Sequence, residues 1–152
     1  VDMSFAGGFA REDHIFKAIA LAAPYARGVC LGRAILTAAM VGRTHGRLLA
    51  ERCERKGQSL EDGYLQLFAV GAQLKEKLGR DFKDLPPGAI GLYSYIDRLR
   101  QGLQQFMAGA RKFALRYIDR GDLVALTREA AEISGIPYVM DSDREEIERI
   151  LG

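Results

Sequence analysis

The amino-acid sequence predicts an α/β fold over its first third and a mostly α-helical fold over the remainder, and three observations carry that prediction. Two short apolar runs each stop at glycine, at Gly7-Gly8 and at Gly32. Each is followed by apolar residues at helical spacing, the signature of strand, helix, strand, helix. After Lys56-Gly57-Gln58-Ser59 every remaining periodic segment has the helical period and none alternates as a strand does.

The first strand is expected over residues 2–6, DMSFA, ending where two glycines remove the side chains. From Glu12 the residues Ile15, Phe16, Ile19, Leu21 and Ala22 form an apolar stripe on a helix that ends near Pro24, with Glu12 and Asp13 in the first turn, where the helix dipole favours negative charge. Ala26–Leu31 is the second strand. A second helix runs from about Ala34 to Lys56, carrying Ile35, Ala38, Ala39, Leu48, Leu49 and Cys53. This order with short joints implies parallel strands joined by a right-handed crossover. Two strands alone do not cover both faces of a parallel sheet, so this third reads as a piece of something larger.

Ser59 is expected to cap a helical run through Leu60, Tyr64, Leu67, Phe68, Gly71, Leu74 and Leu78, with Glu61 and Asp62 in its first turn. Pro86-Pro87-Gly88 interrupts, because proline removes a donor and clashes with the preceding turn. A second stripe occupies residues 91–108, through Leu92, Ile96, Leu99, Leu103 and Phe106. Short helices punctuated by Gly121 and Gly135 follow, and a last helix, Ser142–Leu151, is expected to start at Ser142 as cap.

The chain has 152 residues, 48% of them hydrophobic and 28% charged, with a net charge of +2. That composition excludes disorder and gives no charge-based case for nucleic acid. No run of about 18 apolar residues exists, so no membrane span is expected. Cys30 and Cys53, the two cysteines, have neither disulfide-scaffold density nor metal-ligand spacing, and a reducing, cytoplasmic setting is the default. Cys30, in an expected buried strand, reads as a small core residue. The chain opens at Val1 on apolar residues without a charged leader, so a fragment is expected.

Chemistry concentrates at the two glycine-ended junctions, AGGFA and CLGRA. A strand that ends in glycine and enters a helix leaves free amide hydrogens that an anion can approach closely. Parallel strands would set two such junctions side by side, and Arg33 adds a planar fork that suits phosphate. The plainer reading is tight-turn chemistry with a solvated arginine. His14 and Lys17 read as exposed helix residues, and His45 has no partner at metal spacing. The basic stretch Arg98–Arg120 has Phe106, Phe113 and Tyr117 at helical spacing and Asp97, Asp119 and Asp122 beside it, so it reads as a packing helix.

The stretch AGGFAREDHIFKAIALAAPYARGVCLGRAI resembles the last βαβ portion of FMN-dependent barrel enzymes, through Gly7-Gly8, Lys17-Ala18-Ile19-Ala20-Leu21 and Gly32-Arg33. Among these it is most similar to the glutamate synthase-like FMN-binding family, a likeness that continues through AAMVG, LQQFMAGARKF, GDLVAL and EISGIPYVMD. The resemblance implies the last two βα units of a TIM (β/α)8 barrel over residues 1–56 and a helical extension over 57–152. It implies that Gly7, Gly8, Phe9, Gly32 and Arg33 hold the phosphate of FMN. It also implies an oxidoreductase that reduces an imine of 2-oxoglutarate and ammonia to glutamate, with the ring and substrate contacts outside these residues and the 152-residue piece inactive alone. FMN, the small-molecule substrate and the rest of the barrel or partner chains are the expected partners, with no nucleic acid, membrane or metal.

Two positions and one missing cluster depart from the family pattern. Ala6 and Ala10 stand where many relatives place Asp and a basic residue, with Arg11 one position later offering a substitute charge. No cysteine lies between Leu36 and Arg52, so an iron–sulfur cluster is not supported. The alternatives are a non-catalytic helical assembly module and a piece that binds some other phosphate ligand.

Overall fold

The computed structural model describes residues 2–152; Val1, and with it the expectation drawn from the chain's first residue, lies outside the described residues. The elements run β1 (Met3–Ala6), α1 (Glu12–Leu21), β2 (Ala26–Cys30), α2 (Arg33–Lys56), α3 (Leu60–Leu67), α4 (Gly71–Leu78), α5 (Pro87–Gly109), α6 (Arg128–Ser134) and α7 (Arg144–Leu151), with 3-10 turns at Gly79–Asp84, Leu115–Tyr117 and Arg120–Asp122.

The first two elements pair as the crossover argument requires: β1 and β2 are parallel, in the register Ser4↔Gly28, Phe5↔Val29 and Ala6↔Cys30. Here the barrel expectation fails. The described residues are mostly helical, their one sheet has two strands, and those strands are four and five residues long. A barrel closes only when every strand is paired on both sides, whereas this ladder has two open edges. The error has a physical origin. A glycine-ended βα junction is a local feature and says nothing about how many strands flank it. Cys30 is also exposed instead of core, because the second strand carries Arg27 and Gly28 in place of a continuous apolar run.

The described chain forms two compact units that interleave along the sequence. One comprises the chain through Ala6, Arg11–Cys30 and Leu103–Gly152; the other comprises Gly7–Ala10 and Leu31–Gly102. In the first, Ile15, Phe16, Ile19 and Ala20 are the buried face of α1, and the ring of Phe16 lies 5.7 Å from that of Phe106. Arg120 ties two segments of this unit together by donating to the carbonyls of Leu21 (3.1 Å) and Ser134.

The second unit holds the main cluster of buried side chains, Tyr64, Phe68, Val70, Leu74, Phe82 and Ile90. The hydroxyl of Ser59 accepts from the Asp62 amide at 3.2 Å, the expected cap. The helical run 60–78 is broken into α3 and α4 at Phe68–Val70. The chain folds back tightly at the break, where a side chain on Gly71 would begin 3.0 Å from the Tyr64 carbonyl oxygen, an approach that glycine permits. Pro86-Pro87 interrupts as expected, and α5 begins at Pro87, where the missing amide costs nothing. The last helix starts later than Ser142: its cap position is Asp143, and the Ser142 hydroxyl donates back to the Val139 carbonyl.

Glycines also set the contact between α2 and α5. A Cβ on Gly42 would lie 2.9 Å from Gly91 Cα, one on Gly91 would lie 2.8 Å from the Ala38 carbonyl oxygen, and one on Gly46 would lie 2.1 Å from Pro87 Cβ. The backbones touch because Gly42 and Gly46, four residues apart, share one helix face. G46A is therefore expected to lower the unfolding free energy by about 1–3 kcal/mol through overpacking, read as a lower urea midpoint at unchanged slope. An unchanged midpoint would show that the contact is looser than described.

Candidate functional site

The junction after β1 is a turn with left-handed backbone at two successive residues, φ 113° at Gly7 and 72° at Gly8, which residues with a side chain adopt only under strain. The junction after β2 is the N-terminus of the 24-residue α2, with Gly32 at the cap position. Because Ala6 and Cys30 are register partners, the chain leaves the sheet from paired positions into these two turns.

Both turns are open. Apart from the chain neighbours, no heavy atom of a described residue lies within 4 Å of where a side chain on Gly7, Gly8 or Gly32 would begin. No side chain caps α2 and no acidic residue sits in its first turn, so its leading amides keep their partial positive charge. Arg33, the first residue of that helix, is exposed and makes no ion pair among the described residues. Phe9 is half-buried. Bare amides, an uncompensated helix start and a guanidinium without a carboxylate suit a phosphate by charge and by access.

One tie to this turn had no sequence signal. The hydroxyl of Tyr95, on α5, donates to the carbonyl oxygen of Ala10 at 2.7 Å. A lone tyrosine 85 residues away carries no pattern by which sequence could assign that bond.

The other candidate residues lie elsewhere. Arg11 pairs with Asp13 at 3.0 Å, so its charge is already matched. His14 is half-buried on α1, and His45 is exposed on α2. The basic stretch is not one packing helix: α5 stops at Gly109, and Phe113 and Tyr117 are 86% and 52% exposed. Its charges are largely engaged. Lys112 pairs with Asp119 at 2.9 Å and with Asp122 at 3.5 Å, and Arg116 lies 4.7 Å over the Tyr117 ring. Among the described residues no group of three or more His, Cys, Asp or Glu side chains is placed to hold a metal ion, and no helix is long and apolar enough to cross a membrane.

No family model matches the chain, and neither the curated proteins nor the solved structures contain a significant match to it. The glutamate synthase-like resemblance therefore rests on its own motifs.

The charges that open α1 give a pH dependence. Burial alone would raise the Asp13 carboxyl, but the Lys17 hydrogen bond and the charges of Arg11, Lys17 and His14 outweigh it and hold Asp13 below the ordinary 3.8. A lowered folded-state value stabilises the fold above the ordinary value, and that contribution is lost as pH falls through the folded one. The melting-temperature advantage of wild type over D13N should thus be full near pH 6 and shrink below about pH 4. An advantage that stayed constant down to pH 2 would contradict this assignment.

Proposed function

We propose that this chain supplies the phosphate-anchoring part of a glutamate synthase-like, FMN-dependent oxidoreductase. The observation that carries the reading is the pair of open glycine turns entered from register partners of a parallel ladder, with Arg33 at one of them. The amides of Gly7, Gly8 and Phe9 would donate to phosphate oxygens from one side, and Gly32 and the Arg33 guanidinium from the other. When bound, FMN supplies the hydride chemistry; the protein binds and orients it. Anchoring the phosphate fixes one end of the cofactor, which lowers the entropy cost of presenting its ring. By the same resemblance the substrate is an imine of 2-oxoglutarate and ammonia, and the product is glutamate.

A charge-assisted bond from Arg33 contributes about 1.5–3 kcal/mol, so R33A should weaken FMN binding by roughly 10- to 150-fold. G8V should weaken it as well, since a β-branched residue does not tolerate a φ of 72°. Quenching of flavin fluorescence on titration measures both. Riboflavin, which has the same ring without phosphate, gains nothing from this seat and should bind wild type and R33A equally weakly. Equal loss of riboflavin and FMN in R33A would move Arg33 away from the phosphate. A wild-type chain that binds other phosphorylated ligands as well as FMN would make this a general anion seat.

A further inference from the structure

The two turns of the candidate seat are separated in sequence by α1 and β2; the parallel ladder pairs the residues from which they leave, Ala6 and Cys30, but not the residues at their tips. Helix α5 bonds to the first of these turns and packs against α2, the helix that the second turn opens. Through Tyr95 it holds the Gly7–Ala10 turn by the hydroxyl bond to the Ala10 carbonyl oxygen at 2.7 Å. One helical turn earlier, Gly91 lies against Ala38 and Gly42 of α2, the helix whose first residues are the other turn, with backbone so close that no side chain fits. Gly7–Ala10, α2 and this part of α5 belong to the same compact unit.

We propose that α5 is the brace of the seat and that Tyr95 is a positioning residue for the Gly7–Ala10 turn, an inference that rests on the phosphate reading above. Tyr95 touches no phosphate itself. Gly7 and Gly8, whose φ values are 113° and 72°, have the largest backbone freedom of any residue type, so the turn needs an external tie to stay in one conformation. The half-buried Tyr95 ring provides a stiff arm with two side-chain torsions, and its hydroxyl fixes the carbonyl two residues beyond Gly8. The glycine contact with α2 fixes the base of that arm. A seat whose donors are already in place binds more tightly than one that must order them on contact. The segment beyond residue 57 therefore contributes to the anion site.

The test compares wild type with Y95F, which keeps the ring and loses the hydroxyl, and with Y93F, which removes another hydroxyl of α5, the acceptor of a 3.0 Å bond from Lys77. Two readouts are taken on the full chain: backbone amide order parameters at Gly7, Gly8 and Phe9, and FMN affinity. In Y95F the order parameters should fall from about 0.85 toward 0.6 or lower, and FMN should bind roughly three- to tenfold more weakly, the equivalent of one hydrogen bond. Y93F should match wild type in both. A turn equally rigid in wild type and Y95F overturns the brace whatever FMN does, and so does a loosened turn with unchanged affinity. A wild-type chain that ignores FMN while Y95F still loosens the turn refutes the flavin reading and leaves the tether standing.

Discussion

Where α2 meets α5 there is no room for a side chain. Gly42 and Gly91 present bare backbone to each other, Gly46 faces Pro87, and a methyl group at any of the three glycines would overlap an atom of the facing helix. This steric constraint organises the unit built from Gly7–Ala10 and Leu31–Gly102. It fixes the line of α2, whose first turn carries Gly32 and Arg33, and the line of α5, whose Tyr95 holds the other glycine turn. The buried cluster of Tyr64, Phe68, Leu74, Phe82 and Ile90 supplies apolar burial in the same unit. The close contact of α2 and α5 gives it definition.

The candidate seat uses glycine for the opposite purpose. At Gly42 and Gly91 the absent side chain lets protein approach protein; at Gly7, Gly8 and Gly32 it leaves space that no described residue beyond the chain neighbours fills. Glycine adopts the left-handed backbone at Gly7 and Gly8 without steric strain, so the first turn stays open at its tip. The ladder that leads into the two turns is short, and its parallel register pairs Ala6 and Cys30, the residues at which the chain leaves the sheet.

Much of the local structure was legible in the sequence because its causes are local. Glycine after an apolar run ended both strands, Ser59 capped α3, and the proline pair started α5. What failed depended on partners distant in sequence. The number of strands beside DMSFA and ARGVC is not written in those residues, so the barrel expectation went beyond its evidence. The run 60–78 has one continuous helical period, but packing at Gly71 broke it. Gly42-x-x-x-Gly46 carried no signal on its own, because its meaning comes from the facing Pro87 and Gly91. Of the candidate seat, the two glycine-ended junctions and their entry from paired strands were readable, whereas the tie from Tyr95 was not.

The central claim is that the two glycine turns act together as one anion seat. An amide chemical-shift titration of the isotope-labelled chain with FMN, repeated with inorganic phosphate, tests it most directly. The account predicts that Gly7, Gly8, Phe9, Gly32 and Arg33 shift together along one binding isotherm, and that phosphate alone moves the same five amides. Shifts confined to one turn, or perturbations that bypass both, would contradict it.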